Sequence, residues 1–232
     1  MKSQTSCILT LITVLAPLVA QAPEPEIHVN RQRFWSSIET LSEFGRPPGG
    51  DFEAGVTRLA FSEADKAARA WLMQQMRDSG LAVRVDAAGN IFGRRAGQQN
   101  LPTLLFGSHI DSVPHGGNFD GDVGALGALE IMRSLNDNKR VTRHPFEMVV
   151  WTNEEGHRFG RGLMGSSAAV GLLSEDLLSR KDDEGVTLGD RLRQYGQDPA
   201  RLSEARIAAG SVAAYTSCTS SRAASWSKRI LR

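Results

Sequence analysis

Cysteine is almost missing from this chain, with two in 232 residues, Cys7 and Cys218. Two distant thiols offer neither a disulfide framework nor zinc-finger spacing. Charge of one sign is missing too: 27 basic and 26 acidic residues leave a formal net charge of +1, without long runs. That argues against a nucleic-acid partner, which needs a concentrated basic face. The apolar stretch from Cys7 to Ala20 falls short of the roughly 20 residues of a bilayer span. No internal repeat occurs, and no low-complexity segment before residue 211. What is present, 41% hydrophobic residues, can bury a sizeable core in one domain or in one domain plus extras.

The amino terminus differs in kind from the rest. Lys2 precedes the apolar stretch, and Ala20-Gln-Ala22 supplies small residues at a cleavage site. The three features together read as a secretory signal over residues 1–22. An uncleaved anchor or a misassigned start codon is the alternative. Cys7 precedes the apolar run and is badly placed for a lipoprotein cysteine. On this reading the mature chain is exported, periplasmic or secreted, with no stable membrane anchor; without leader use it is cytoplasmic.

Residues 23–28, with Pro23-Glu-Pro25, form a polar spacer before a helical pattern from Val29 to Phe44. The cluster Gly45-Arg-Pro-Pro-Gly-Gly50 breaks that helix. Ser62-Glu-Ala-Asp65 resembles a capping box opening a helix to about Gly80, with Ala67, Ala70, Trp71, Leu72, Met73 and Met76 as its apolar face. Leu81, Val83 and Val85 alternate at strand spacing, and Gly89-Asn90 turns the chain. Leu101 to Phe106 and Phe146 to Trp151 are short, apolar and bounded by polar turns, so they predict buried strands. Between them Val123 to Leu135 is helical in pattern, with Leu126, Leu129, Ile131 and Leu135 apolar. Strand, helix and strand in this order predict a parallel pair within an α/β sheet. Gly162 to Gly171 suggests a tight loop and a helix start, and Leu188 to Tyr195 a short helix ended by Gly196.

Chemistry concentrates in Gly107-Ser-His-Ile-Asp111, Asn118-Phe-Asp-Gly121 and Thr152-Asn-Glu-Glu-Gly156. His109 and Asp111 follow one predicted strand, Glu154 and Glu155 the other. In open α/β sheets the ligand crevice lies beyond the carboxyl ends of the strands, so neighbouring strands bring both groups to one place. Asp120 ends a glycine-rich loop just before a helix, where the backbone favours a negative partner. Oxygen and nitrogen donors gathered this way suit divalent metal, with one carboxylate bridging two ions about 3.5–4 Å apart. Singly, each motif is ordinary, since H-x-D is common and paired glutamates usually sit in solvated turns. Five such groups at two strand ends are not ordinary. His115, His157, His144 and His28 are read as bystanders. Gly121, Gly124 and Gly127 are spaced wrongly for a dinucleotide loop, and Gly165-Ser-Ser-Ala168 lacks the second glycine of a nucleophile elbow.

The three motifs, with Gly-Asn-Ile-Phe92 and Met-Gly-Ser166, resemble the amidase branch of the M20 metallopeptidase-like superfamily. That branch contains N-carbamoyl-L-amino-acid hydrolases, allantoate amidohydrolases and β-ureidopropionases. The likeness runs from about Val29 to Tyr215. It implies an α/β fold in which residues 29–215 form the N-terminal part of a catalytic domain, with a mixed, largely parallel sheet flanked by helices. By the same resemblance His109 binds one metal, Asp120 bridges both, Glu155 binds the second, Glu154 is the general base and Asp111 orients His109. Two Zn²⁺ or Mn²⁺ ions are the implied cofactors, and a small ureido or amide compound the implied substrate. A dipeptidase or aminoacylase of the same superfamily, or a non-catalytic relic of the fold, are the alternatives. Full-length members of the family are expected to be homodimeric, this chain not.

After the position of Tyr215 the family reads much like Glu-Leu-His-Ile-Glu-Gln-Gly, and that His binds the second metal. Here the residues are Ser217-Cys-Thr-Ser-Ser-Arg-Ala223. Written as GAG CTG CAC ATC GAG CAG GGC and read one base later, the family motif becomes AGC TGC ACA TCG AGC AGG GC. That encodes Ser-Cys-Thr-Ser-Ser-Arg-Ala, matching at every position. Residues 216–232 are therefore expected to be a frameshifted tail, with the lid or dimerisation domain and two histidine ligands absent and activity weak. Sequencing the gene on both sides of codon 216 is expected to restore the motif in another frame; a gene lacking it in all frames refutes the idea.

Overall fold

A computed structural model describes residues 26–217. The expected signal, residues 1–22, and the tail from 218 onward lie outside the described residues. The elements in chain order are α1 (Arg31–Leu41), α2 (Glu63–Asp78), β1 (Ala82–Val85), β2 (Ile91–Arg95), β3 (Thr103–His109), α3 (Asp122–Asp137), β4 (Phe146–Trp151), α4 (Met164–Ala169), α5 (Leu188–Gln194) and β5 (Val212–Thr216). The five strands form one mixed sheet in the order β1-β2-β4-β3-β5. β1–β2 and β2–β4 run antiparallel, while β4–β3 and β3–β5 run parallel. The expected parallel pair is present, with α3 as its crossover. Among the described residues, no helix is long and apolar enough to cross a membrane.

Side chains alternate across β4 with the period of a strand. Met148 and Val150 face a core built with Ile38 and Leu41 of α1, Leu72 and Met76 of α2, and Leu126, Leu129 and Met132 of α3. Val149 and Trp151 face the other way, onto Phe92, Leu105 and Ala169, with Ile207 and Tyr215 at the margin. Burying a leucine such as Leu72 or Leu129 completely contributes about 1.5–3 kcal/mol.

Ser62 caps α2 as its sequence suggests, its side chain accepting from the Asp65 N–H. The buried stripe of that helix is rotated from the expected face: Ala67 and Ala70 are exposed, while Asp65, Ala68, Arg69, Leu72 and Met76 are buried. The reason is polar pairing. The Asp65 carboxylate accepts from the Phe61 N–H at 2.8 Å and the Tyr195 hydroxyl at 3.0 Å, so a charged side chain can occupy the inward position. Ile131 of α3 is likewise exposed, and Met132 takes the inward place. Two strands went unanticipated. β2 follows the Gly89-Asn90 turn directly, and β5 is an edge strand with three exposed residues, too weakly patterned to stand out.

β3 and β4 approach so closely at Gly107 that an added Cβ would lie 1.9 Å from the Val149 carbonyl oxygen. Gly127, on α3, meets nothing within 4 Å. Gly107→Ala is therefore expected to cost at least about 2 kcal/mol in urea unfolding. Gly127→Ala is expected to gain about 0.5–1 kcal/mol. Equal effects at the two positions would contradict the close approach.

Candidate metal centre

The site forms where β3 and β4 end side by side. His109, the last residue of β3, pairs in register with Trp151, the last of β4. The chain leaves β4 into Thr152-Asn-Glu-Glu155, and three of the carbonyls in that stretch are caught by the start of α4. Gly165, Met164 and Leu163 donate their N–H groups to Thr152, Asn153 and Glu154 at 2.9, 3.2 and 2.8 Å. Asn153 and Leu163 hold left-handed backbone to make the reversal. Asn90, fully buried, braces it from a third side: its Oδ1 accepts from the Thr152 N–H at 3.0 Å, and its Nδ2 donates to the Gly165 carbonyl at 3.1 Å. Arg69 of α2 donates to Thr152 Oγ1 at 3.3 Å and to the Gly89 carbonyl.

Asp111 carries more than its expected task. Its backbone carbonyl lies 3.0 Å from His109 Nδ1, and its carboxylate is 3.9 Å from the same nitrogen. The two carboxylate oxygens accept from the backbone N–H groups of Glu154 and Glu155, each at 3.1 Å. One residue thus orients the imidazole through its main chain and holds the glutamate turn through its side chain.

His109, Glu154 and Glu155 each present a possible ligand atom, all within 4.8 Å of one another. Asp120 stands outside this grouping, on an exposed loop two residues before α3, but its charge bears on both Glu154 and Glu155. Gly121 lets that loop lie against His109: with φ +70°, its added Cβ would fall 2.6 Å from the imidazole ring. His115 and His157 are exposed and belong to no such grouping.

The electrostatics of the group are strained. Burial raises the pKa of Glu154 and Glu155, and neighbouring Asp111 and Asp120 push in the same direction against His109. For His109 burial opposes the charged imidazole, yet Asp111, Glu154 and Glu155 outweigh it and raise its pKa. A carbonyl can only accept, so Nδ1 carries the hydrogen. His109 Nε2 therefore turns toward Glu154 Oε2, 3.6 Å away. A neutral imidazole would then aim a lone pair at a carboxylate, an arrangement that a shared divalent cation relieves. Nitrogen and oxygen donors of this kind fit Zn²⁺ or Mn²⁺.

The family model for Peptidase family M28 matches residues 90–196, which include His109, Asp111, Asp120, Glu154 and Glu155. The N-carbamoyl-L-amino acid amidohydrolase of Geobacillus stearothermophilus is 41% identical over 188 residues, covering 81% of this chain and 45% of that protein. The crystal structure of a hydantoinase/carbamoylase family amidase from Burkholderia vietnamiensis superposes with a TM-score of 0.75 at 39% identity, covering 84% of this chain and 46% of that one. The chain belongs to the peptidase M28/M20-like amidase family. The ureidoglycolate hydrolase of Arabidopsis thaliana, 39% identical over 137 residues, is a further relative, with 59% of this chain and 28% of that protein covered. The chain spans about half the length of the curated amidohydrolases it matches.

Residues supporting the site that the sequence did not single out are Arg58, Arg69 and Asp122, all buried. Arg58 carried a signal, a lone charge within Val56-Thr-Arg-Leu-Ala-Phe61. Arg69 and Asp122 carried none, because charged residues on helices are usually solvated.

Proposed function

We propose that the protein hydrolyses the carbonyl carbon–nitrogen bond of a linear ureido or amide compound, such as an N-carbamoyl amino acid, allantoate or a related ureido acid. The observation that carries this reading is the grouping of His109, Glu154 and Glu155 at the ends of two parallel neighbouring strands. The similarity to carbamoyl-amino-acid and ureidoglycolate hydrolases supports the substrate class. His109 and Glu155, with Asp120 on the neighbouring loop, would hold the divalent metal, Zn²⁺ or Mn²⁺. When bound, such ions polarise the substrate carbonyl and lower the pKa of water. Glu154 takes the proton from the attacking water and returns it to the leaving nitrogen. Its pKa is raised by burial, the direction that makes a carboxylate a better proton acceptor. Asp111 keeps Nδ1 of His109 protonated and Nε2 directed at the ion. The M28 match favours a second reading, an aminopeptidase or dipeptidase using the same residues.

Assayed on both substrate classes, the protein is expected to release ammonia from N-carbamoyl-L-amino acids faster than it cleaves dipeptides; the reverse preference selects the peptidase reading. Glu154→Gln in that protein is expected to lower kcat by about 10²–10⁴-fold while two ions still bind. Near-normal kcat in this variant removes Glu154 as the base.

Residues 1–22 support export, and we place the enzyme outside the cytoplasm on that ground. Amino-terminal sequencing of the extracytoplasmic protein is expected to begin near Pro23. A protein retained inside the cell with Met1 in place contradicts it.

A further inference from the structure

Arg58 is 1% exposed, yet it is a full guanidinium inside the core. Its Nε donates to the Ile110 carbonyl at 2.6 Å. Its Nη1 donates to the carbonyls of Leu41 and Phe44, both at 2.9 Å, tying it to the end of α1. Its Nη2 donates to Asp122 Oδ2 at 2.6 Å. The backbone joins in, with the Arg58 N–H donating to Ser112 Oγ and the Ser112 N–H to the Arg58 carbonyl, each at 2.9 Å.

The places these bonds reach matter more than their number. Ile110 lies between His109 and Asp111, and Asp122 lies two residues beyond Asp120. One planar side chain therefore spans the two limbs that carry candidate ligands. A lysine could not, since it lacks the rigid fork that meets a carbonyl and a carboxylate together.

Stability alone explains the pair poorly. Ion pairs removed from water gain little over well-packed apolar residues of similar volume. Asp122 also leaves its second oxygen, Oδ1, buried without a hydrogen-bond partner. We propose that Arg58 and Asp122 are a positioning pair that sets the spacing between the His109–Asp111 limb and the Asp120 limb, and with it the geometry in which the site takes a divalent cation. The inference rests on the metal-site reading given above.

Cobalt(II) titration of the full 232-residue chain tests it, followed by visible absorption and equilibrium dialysis, with circular dichroism to confirm folding. Asp122→Asn keeps the shape of the side chain and removes its charge. It is expected to weaken cobalt binding on the order of ten-fold and to alter the absorption bands, in protein that remains folded. The double variant Arg58→Met/Asp122→Leu supplies an apolar pair and guards against a single variant that fails to fold. It is expected to recover thermal stability without recovering cobalt affinity. Wild-type affinity and bands in either folded variant, with only the melting temperature changed, reduce the pair to a structural role and overturn the proposal. No cobalt binding by the unmodified chain overturns the metal-site reading itself, and this inference with it.

Discussion

The parallel pairing of β3 with β4 is the constraint on which the rest depends. Parallel neighbours end on the same side of a sheet, so two segments about forty residues apart deliver their polar ends to one crevice. The pairing itself needs Gly107, where the Val149 backbone comes too near for any side chain. It also needs α3, whose Leu126, Leu129 and Met132 cover the sheet between the two strands. Without that crossover, His109 and Glu154 would have no reason to meet.

Around this crevice the protein buries polar groups that would be costly alone. Asn90, Asp111, Arg58 and Arg69 are each held by hydrogen bonds, several of which end on main chain or on the turn next to the site. An unmade hydrogen bond in the interior costs about 1–3 kcal/mol, so these groups resist displacement. The outcome is a turn from Thr152 to Glu155 gripped by α4, by Asn90 and by Asp111. Rigid support of this kind suits side chains that must hold charge at fixed separation. The crowding of Glu154, Glu155, Asp111 and Asp120 around one imidazole is itself unfavourable, and positive charge placed among them offsets it.

Much of the fold was legible in the sequence. Short apolar runs announced β3 and β4, and the cap at Ser62 announced α2. The motifs at His109 and at Glu154-Glu155 announced side chains that the two strand ends bring together. What misled was the assumption that a helix buries only its apolar residues: in α2 the inward stripe includes Asp65 and Arg69, because their partners lie on Phe61, Tyr195 and Thr152. Asp111 was read as the residue that orients His109; its main-chain carbonyl lies 3.0 Å from the imidazole, and its carboxylate, 3.9 Å from the same nitrogen, also grips the glutamate turn. Asp120 was expected on the shared ion; it stands on an exposed loop beside the grouping.

By itself, then, the order of residues determined most of the elements, the parallel pair and the types of side chain at its ends, because periodicity and turn chemistry are local properties. Only the tertiary structure decided which buried charges support those ends and through which atoms. Hydrogen bonds between segments fifty to a hundred residues apart leave no local pattern, and a carboxylate that braces a loop is written with the same letter as one that faces water.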